Sequence, residues 1–226
     1  MTLPGTVQSA APGLNGFDTI TTITPSTAAK FVQDGYGFCA RYVSLGSTQT
    51  DLSNQEAVDI LNAGLALMIV QRVRSSGWVP SASLGTTYGT NAANNAASIE
   101  LPKGMNIFCD LEGAAEGTSA QVVIDYCQAW YAAVNSAGYV PGIYVGPQCG
   151  LSGTQLYQNL SFGHYWKSAD TVPDVATRGY QIVQLQPPDI TVNGVGIDKD
   201  TTQTDNLGDS VLWLKVDGQP VLPLLS

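Results

Sequence analysis

Gly104-Met105-Asn106-Ile107-Phe108-Cys109-Asp110-Leu111-Glu112-Gly113 is an apolar run that ends in two carboxylates and a glycine. If Asn106 to Leu111 forms a buried strand, alternation puts Phe108, Asp110 and Glu112 on one face and Ile107, Cys109 and Leu111 on the other. The two acids then stand together at the strand's C-terminal end, their Cα atoms about 6.5 Å apart, two strand rises. At that separation like charges couple, which raises one pKa and leaves the other group ionised. Paired carboxylates divide acid–base work in this way. Without chemistry, the same residues merely begin a solvated turn, so the flanking sequence has to decide.

Strand and helix signals alternate on both sides of this stretch. Upstream, Leu14 to Asp18 reads as a short strand. Thr24-Pro25 opens a helix with an N-cap and a proline at its first position, and Gly35 closes it. Gly37 to Val43 is a second strand. Ser53-Asn54-Gln55-Glu56 is a capping box ahead of Ala57, Ile60 and Leu61, with Gly64 as the stop. Leu65 to Val73 is nearly continuous apolar sequence, as in a strand buried on both faces. Arg74 to Gly89 reads as a polar loop, followed by an Ala/Asn-rich helix at about 89 to 100.

Downstream, Thr118-Ser119-Ala120-Gln121 reads as a second capping box, opening a helix whose apolar positions include Val122, Val123, Tyr126, Trp130 and Val134. Strands follow at Tyr139 to Val145, His164 to Ser168, Tyr180 to Gln186 and Gly194 to Asp200, with a short helix at Ser152 to Leu160. Such alternation predicts a parallel sheet with helical crossovers, and eight strands predict an α/β, (β/α)8 TIM-barrel-like fold with an irregular last unit and with catalytic groups at the C-terminal strand ends. An open doubly wound sheet is the rival. It lacks its Gly-rich phosphate loop, since Asp18-Thr19-Ile20 follows the first strand. Residues 1–13 read as a loose leader and 14–226 as one barrel domain. Within the tail, 210–226, Val211 to Val216, Asp217-Gly218 and Val221-Leu222 suggest a C-terminal β-hairpin.

Composition narrows the function. Charged residues are 12% of the chain and apolar residues 44%, an ordinary globular balance. Nine Lys and Arg against eighteen Asp and Glu give a net charge of −9, which argues against nucleic acid as a partner and against electrostatic capture on anionic membranes or wall polymers. The sequence holds no apolar run of the roughly eighteen residues a membrane span needs. Met1 to Gly5 lacks the basic region and apolar core of a secretory signal, so export would use another route, or the chain is a phage-type or processed product. Cys39, Cys109, Cys127 and Cys149 show no CxxC spacing and are expected to be buried free thiols. With His164 the only histidine, imidazole pairs are unavailable, and a structural place at a strand end is expected for it.

Barrel geometry would gather acids that are distant in sequence. Asp18 ends the first strand, Asp110 and Glu112 the fourth, and Asp198 with Asp200 the eighth, which neighbours the first in a closed barrel. Gln184 is expected to point inward with Ile182 and Gln186. In this order, Gly16-Phe17-Asp18, Asp110-Leu111-Glu112, Tyr144, Gln184 and Gly196-Ile197-Asp198 resemble the glycoside hydrolase family 25 lysozymes. The resemblance is closer to the related glycoside-hydrolase-like barrels of the domain-of-unknown-function 1906 set. Those also carry a Gly-Phe-x-x-Arg-Tyr strand, as in Gly37 to Tyr42, and a Tyr-Gly-x-x-x-Ala helix, as in Tyr88 to Ala93. The likeness covers about residues 14–205.

What the lysozyme resemblance implies is hydrolysis of the β-1,4 bond after N-acetylmuramic acid in peptidoglycan, outside the cytoplasm and without a cofactor or metal. Glu112 would be the general acid, and Asp110 would stabilise the oxocarbenium charge or orient the acetamido group. Asp18 and Asp198 would complete the acidic site. Tyr144, Trp166 and Trp78 are candidates for sugar stacking, with Gln184, Arg41 and Gln71 as further substrate contacts. The chain departs from the lysozymes at Arg41, Gln71 and Arg72 and at Val183-Gln184, where a Trp-Gln pair is expected. An arginine near the acids would lower their pKa values and oppose a protonated Glu112. Two other readings stay open: a glycan-binding or assembly module without turnover, and a divalent-metal hydrolase using Asp18, Asp110, Glu112 and Asp198 as oxygen ligands. The oligomeric state is left open.

Overall fold

A computed structural model describes residues 2–46, 48, 51–72 and 75–218. Val73 and Arg74, and the Val221-Leu222 arm of the expected hairpin, lie outside these.

Eight strands close a barrel. They are β2 (Asn15–Thr19), β3 (Phe38–Val43), β4 (Ala66–Gln71), β5 (Asn106–Leu111), β6 (Val140–Val145), β7 (His164–Lys167), β8 (Ile182–Val192) and β9 (Val195–Thr202). β2 through β8 run parallel in sequence order, and β9 closes the ring antiparallel to both β8 and β2. The eighth strand therefore departs from the expected crossover. Its direction follows from Asn193-Gly194, both at positive φ (54° and 79°), a two-residue turn of the kind that joins antiparallel strands. As β9 runs downward, its first half lies at the same end as the C-terminal ends of the parallel strands, and Asp198 reaches that mouth.

The helices cover the outside: α1 (Pro25–Gln33), α2 (Asn54–Ala63), α3 (Ala82–Ser98), α4 (Ala120–Ser136) and α5 (Gly153–Gln158). α1 is capped by Thr24, whose hydroxyl accepts from Thr27 N–H. At α2 only half of the capping box forms: Ser53 accepts from Glu56 N–H, while the Glu56 carboxylate is drawn to Arg41 instead. The box expected at Thr118 does not form; Ser119 is the N-cap residue, and Gln121 bonds Asp125. α3 begins seven residues earlier than its composition suggests, at a Ser81 cap. Its Gly85 and Gly89 lie against the α4 backbone: a Cβ on Gly89 would stand 2.6 Å from the Trp130 carbonyl oxygen. Close packing on α4 outweighs the low helix propensity of the glycines.

β10 (Leu212–Lys215) pairs antiparallel with β1 (Thr6–Ser9) and touches β4 at Leu67. The N-terminal residues expected to be loose thus supply a strand, and β10's described partners are β1 and β4. Inside the barrel, Phe38, Met68, Val70, Phe108, Trp166 and Ile182 pack into one cluster, closed from below by Val211 and Trp213. The lower barrel is solid, so chemistry is confined to the upper rim. All four cysteines are buried free thiols.

Candidate active site

The inward positions of the strands rise from this apolar plug to polar groups. Asp18 on β2 stands opposite Asp198 on β9 in the antiparallel register. Gln184 on β8 lies between them: its Nε2 donates to Asp18 Oδ2 at 3.0 Å and to Asp198 Oδ2 at 3.1 Å. The amide is held in turn, since Oε1 accepts from Tyr144 Oη at 3.1 Å and from Ala169 N–H at 3.0 Å. Tyr42 donates to Asp18 Oδ1 at 3.0 Å. One level lower, Asp200 is fully buried and accepts from Trp166 Nε1 at 2.9 Å.

Burial dominates the electrostatics of this cluster. Asp18 is pushed up to about 7 by desolvation and by the charge of Asp198, against hydrogen bonds from Gln184 and Tyr42. Asp200 lies well above the usual carboxylate range for the same reason, desolvation first and Asp18 second. Asp198 is raised by its partial burial and by Asp189, against the hydrogen bond it accepts from Asp189 N–H.

Across the mouth, Asp110 is buried abreast of Tyr144 on β6. Glu112 is half-buried and opens into a pocket of about 290 Å³ with Ser76, Pro147 and Gln148. Its carboxylate lies over Gly146, where a Cβ would come within 2.5 Å of Oε2; only glycine leaves that space. Desolvation raises its pKa, and the charges of Asp170 and Asp198 raise it further. Trp78 fixes the backbone here, donating from Nε1 to the Glu112 carbonyl at 2.8 Å. On the other side of Asp170, a groove of about 730 Å³ runs outward past Ser168, Gln184, Val183 and Tyr180, where the β7–β8 connection carries no helix.

The structure thus gathers Asp18, Asp110, Glu112, Asp198, Tyr144 and Gln184 at one mouth. It corrects four other expectations. Arg41 and Gln71 belong to the outward set of their strands. Arg41 is buried with Nε 2.6 Å from Glu56 Oε1 on α2, so it does not lie among the acids. Gln71 accepts from Trp130 Nε1 and donates to the Tyr88 carbonyl, both at 2.8 Å. Trp166 is 1% exposed inside the plug, and Trp78 is 6% exposed with its ring edge-on to Tyr126; neither offers a face to a sugar. Tyr42 and Asp170 are part of the mouth that sequence reasoning missed. Tyr42 could have been found from the parity of Phe38 and Ala40, whereas Asp170 lies in a loop without a pattern. Among the described residues, no group of three or more His, Cys, Asp or Glu side chains is arranged to hold a metal ion. Between Asp18 and Asp198, a cation's place is taken by the Gln184 amide.

A closed barrel of parallel strands, ended by an antiparallel one and bearing carboxylates at its mouth, defines a glycoside-hydrolase-like domain. Residues 29–202 match the family model for the Rv2525c-like, glycoside hydrolase-like domain, and the chain belongs to that family. It is similar to the crystal structure of the Tat-secreted protein Rv2525c of Mycobacterium tuberculosis in complex with HEPES: 16% identity and TM-score 0.63, over 87% of this chain and 98% of that one. An uncharacterized B. stearothermophilus protein gives 17% identity and TM-score 0.62, over 84% and 96%. The bacterial lysozyme from Streptomyces coelicolor gives 18% and 0.56, over 86% and 94%. At these identities the likeness is one of fold. Comparison with curated protein sequences finds no match.

Proposed function

We propose that the domain is a glycoside hydrolase acting on bacterial cell-wall peptidoglycan outside the cytoplasm, with Glu112 as general acid. The observation that carries this reading is the state of Glu112: accessible from a pocket, yet raised by burial and by Asp170 and Asp198. Such a group holds its proton to higher pH than a free glutamate does and can pass it to the departing glycosidic oxygen. Asp110, on the same strand face, stabilises the positive charge that develops on the sugar ring as that bond breaks, and water completes the hydrolysis. Asp18 and Asp198, tied by Gln184, hold the floor of the site, and Tyr144 presents its partly exposed ring. The likeness in fold to the Streptomyces coelicolor lysozyme makes bacterial wall glycan the substrate to try first. Purified protein is expected to release reducing ends from isolated bacterial walls, and Glu112→Gln to abolish release. Undiminished release by that variant removes Glu112 from the mechanism.

One observation favours a second reading. The Gln184 amide bridges Asp18 and Asp198 and is pinned by Tyr144, which suits a rigid binding surface without turnover. Tight binding of wall fragments with no reducing ends from fresh wild-type protein would select it.

A further inference from the structure

Arg72 is a cation of the barrel mouth that the proposed chemistry does not use. It follows β4, its N–H donating to the Val43 carbonyl at 2.9 Å, one residue past the register pair of Gln71 with Cys109. It therefore stands abreast of Asp110. The alternation that sends Gln71 outward turns Arg72 inward above Met68 and Val70, where it is half-buried. Its guanidinium carbon lies 5.7 Å from the centroid of the Tyr42 ring, the ring whose hydroxyl holds Asp18. The ion pairs among the described residues engage Arg41, Lys167 and Arg178; none engages Arg72. Among the described residues it is the one inward-facing cation at a mouth otherwise ringed by Asp18, Asp110, Glu112, Asp170 and Asp198.

A guanidinium over an aromatic face is partly desolvated and fixed in place, with its planar fork available. The partner such a fork takes best is a carboxylate, by paired charge-assisted hydrogen bonds. A chain of charge −9 with an acid-lined mouth repels anionic ligands unless a cation is supplied where the anion sits. We propose that Arg72 is a specificity residue that binds a carboxylate carried by the sugar in the mouth. Resting on the wall-glycan reading above, that group is the lactyl carboxylate of N-acetylmuramic acid. In intact peptidoglycan this carboxylate is consumed in the amide bond to the stem peptide. The preferred substrate is therefore glycan already stripped of its peptides, which an amide-hydrolysing reaction must supply.

The experiment uses Glu112→Gln protein, so that binding is read without turnover. Two ligands are compared by calorimetry: a tetrasaccharide of alternating N-acetylglucosamine and N-acetylmuramic acid with free lactyl carboxylates, and the same compound with those groups converted to primary amides. The free acid is expected to bind at least about tenfold more tightly, as a charged hydrogen-bonded pair does, with a preference that shrinks as salt rises. Adding Arg72→Gln is expected to erase the preference while leaving the amide's affinity unchanged. Equal binding of acid and amide, or a preference that survives Arg72→Gln, overturns the proposal and leaves the glycan reading standing. Binding of neither compound overturns both. The acid–amide comparison in the Glu112→Gln protein decides even where Arg72→Gln does not fold.

Discussion

Asp18→Asn isolates the titration that the architecture of the mouth imposes. Asp18 is 3% exposed, and its pKa is moved from 3.8 to about 7 by burial and by Asp198. In the unfolded chain it ionises near its ordinary value, so between these two pH values the native state binds the extra proton. Stability then falls as pH rises through that window. The contribution is whole below about pH 4 and gone above about pH 7. At about 1.4 kcal/mol per pH unit, the window is worth about 4 kcal/mol. The charge of Asp18 raises Asp200 in turn, so the pair titrates as a unit, and the substitution removes Asp18 together with that coupling. The amide also loses one acceptor toward the Gln184 and Tyr42 donors, a pH-independent loss of about 1 kcal/mol. The assay is urea unfolding of wild type and variant at intervals from pH 4 to 8, read as the difference between them at each pH. Wild type is expected to be the more stable by about 1 kcal/mol at pH 4 and the less stable by pH 7.5, the difference having moved by about 4 kcal/mol. A difference that stays constant within about 1 kcal/mol, or one that moves in the wild type's favour as pH rises, refutes the reasoning.

Arg41→Met takes the guanidinium from the buried Glu56 carboxylate, which keeps the hydrogen bond from Ile23 N–H, and is expected to destabilise by about 3–5 kcal/mol in denaturant unfolding. Adding Glu56→Leu should recover much of that loss; a single variant as stable as wild type contradicts the pairing. Gly89→Ala improves helix propensity but drives α3 from the Trp130 carbonyl, so Tm should drop, by about 1–3 kcal/mol of stability; a raised Tm means the helices do not meet there. Gly146→Ala puts a methyl group where the Glu112 carboxylate lies. Reducing-end release should fall at least about tenfold while the melting temperature changes little, and full activity would show that the acid works from another position.

The central strand was legible residue for residue, because β5 combines a buried run with an acid stop, and the observed Asn106–Leu111 coincides with the reading. Capping chemistry placed α1 and α2 with equal directness. What failed was decided by contacts far away in sequence. β1 is four small or polar residues whose partner, β10, lies some two hundred residues on, and nothing local marks it as a strand. The beginning of α3 reads as loop because Gly85, Thr86 and Thr87 are poor helix formers, and only the α4 surface compensates. Strand direction at β9 was legible in Asn193-Gly194, but the alternation of helices and strands upstream outweighed that dipeptide. The acids converged because strand-end position is a local property. Arg41 and Gln71 were misplaced because β3 and β4 are buried on both faces, so polarity does not announce which parity points inward. A buried arginine paired on α2 and one facing the mouth look alike until a glutamate on that helix is known to meet it.

On the proposed function, Glu112 delivers its proton to a glycosidic bond at the barrel mouth. The most direct test is mass spectrometry of a defined N-acetylglucosamine–N-acetylmuramic acid tetrasaccharide, with free lactyl carboxylates, after incubation with wild-type and Glu112→Gln protein. Two disaccharides from the wild type and intact tetrasaccharide from the variant are the predicted result; cleavage by both proteins, or by neither, contradicts it.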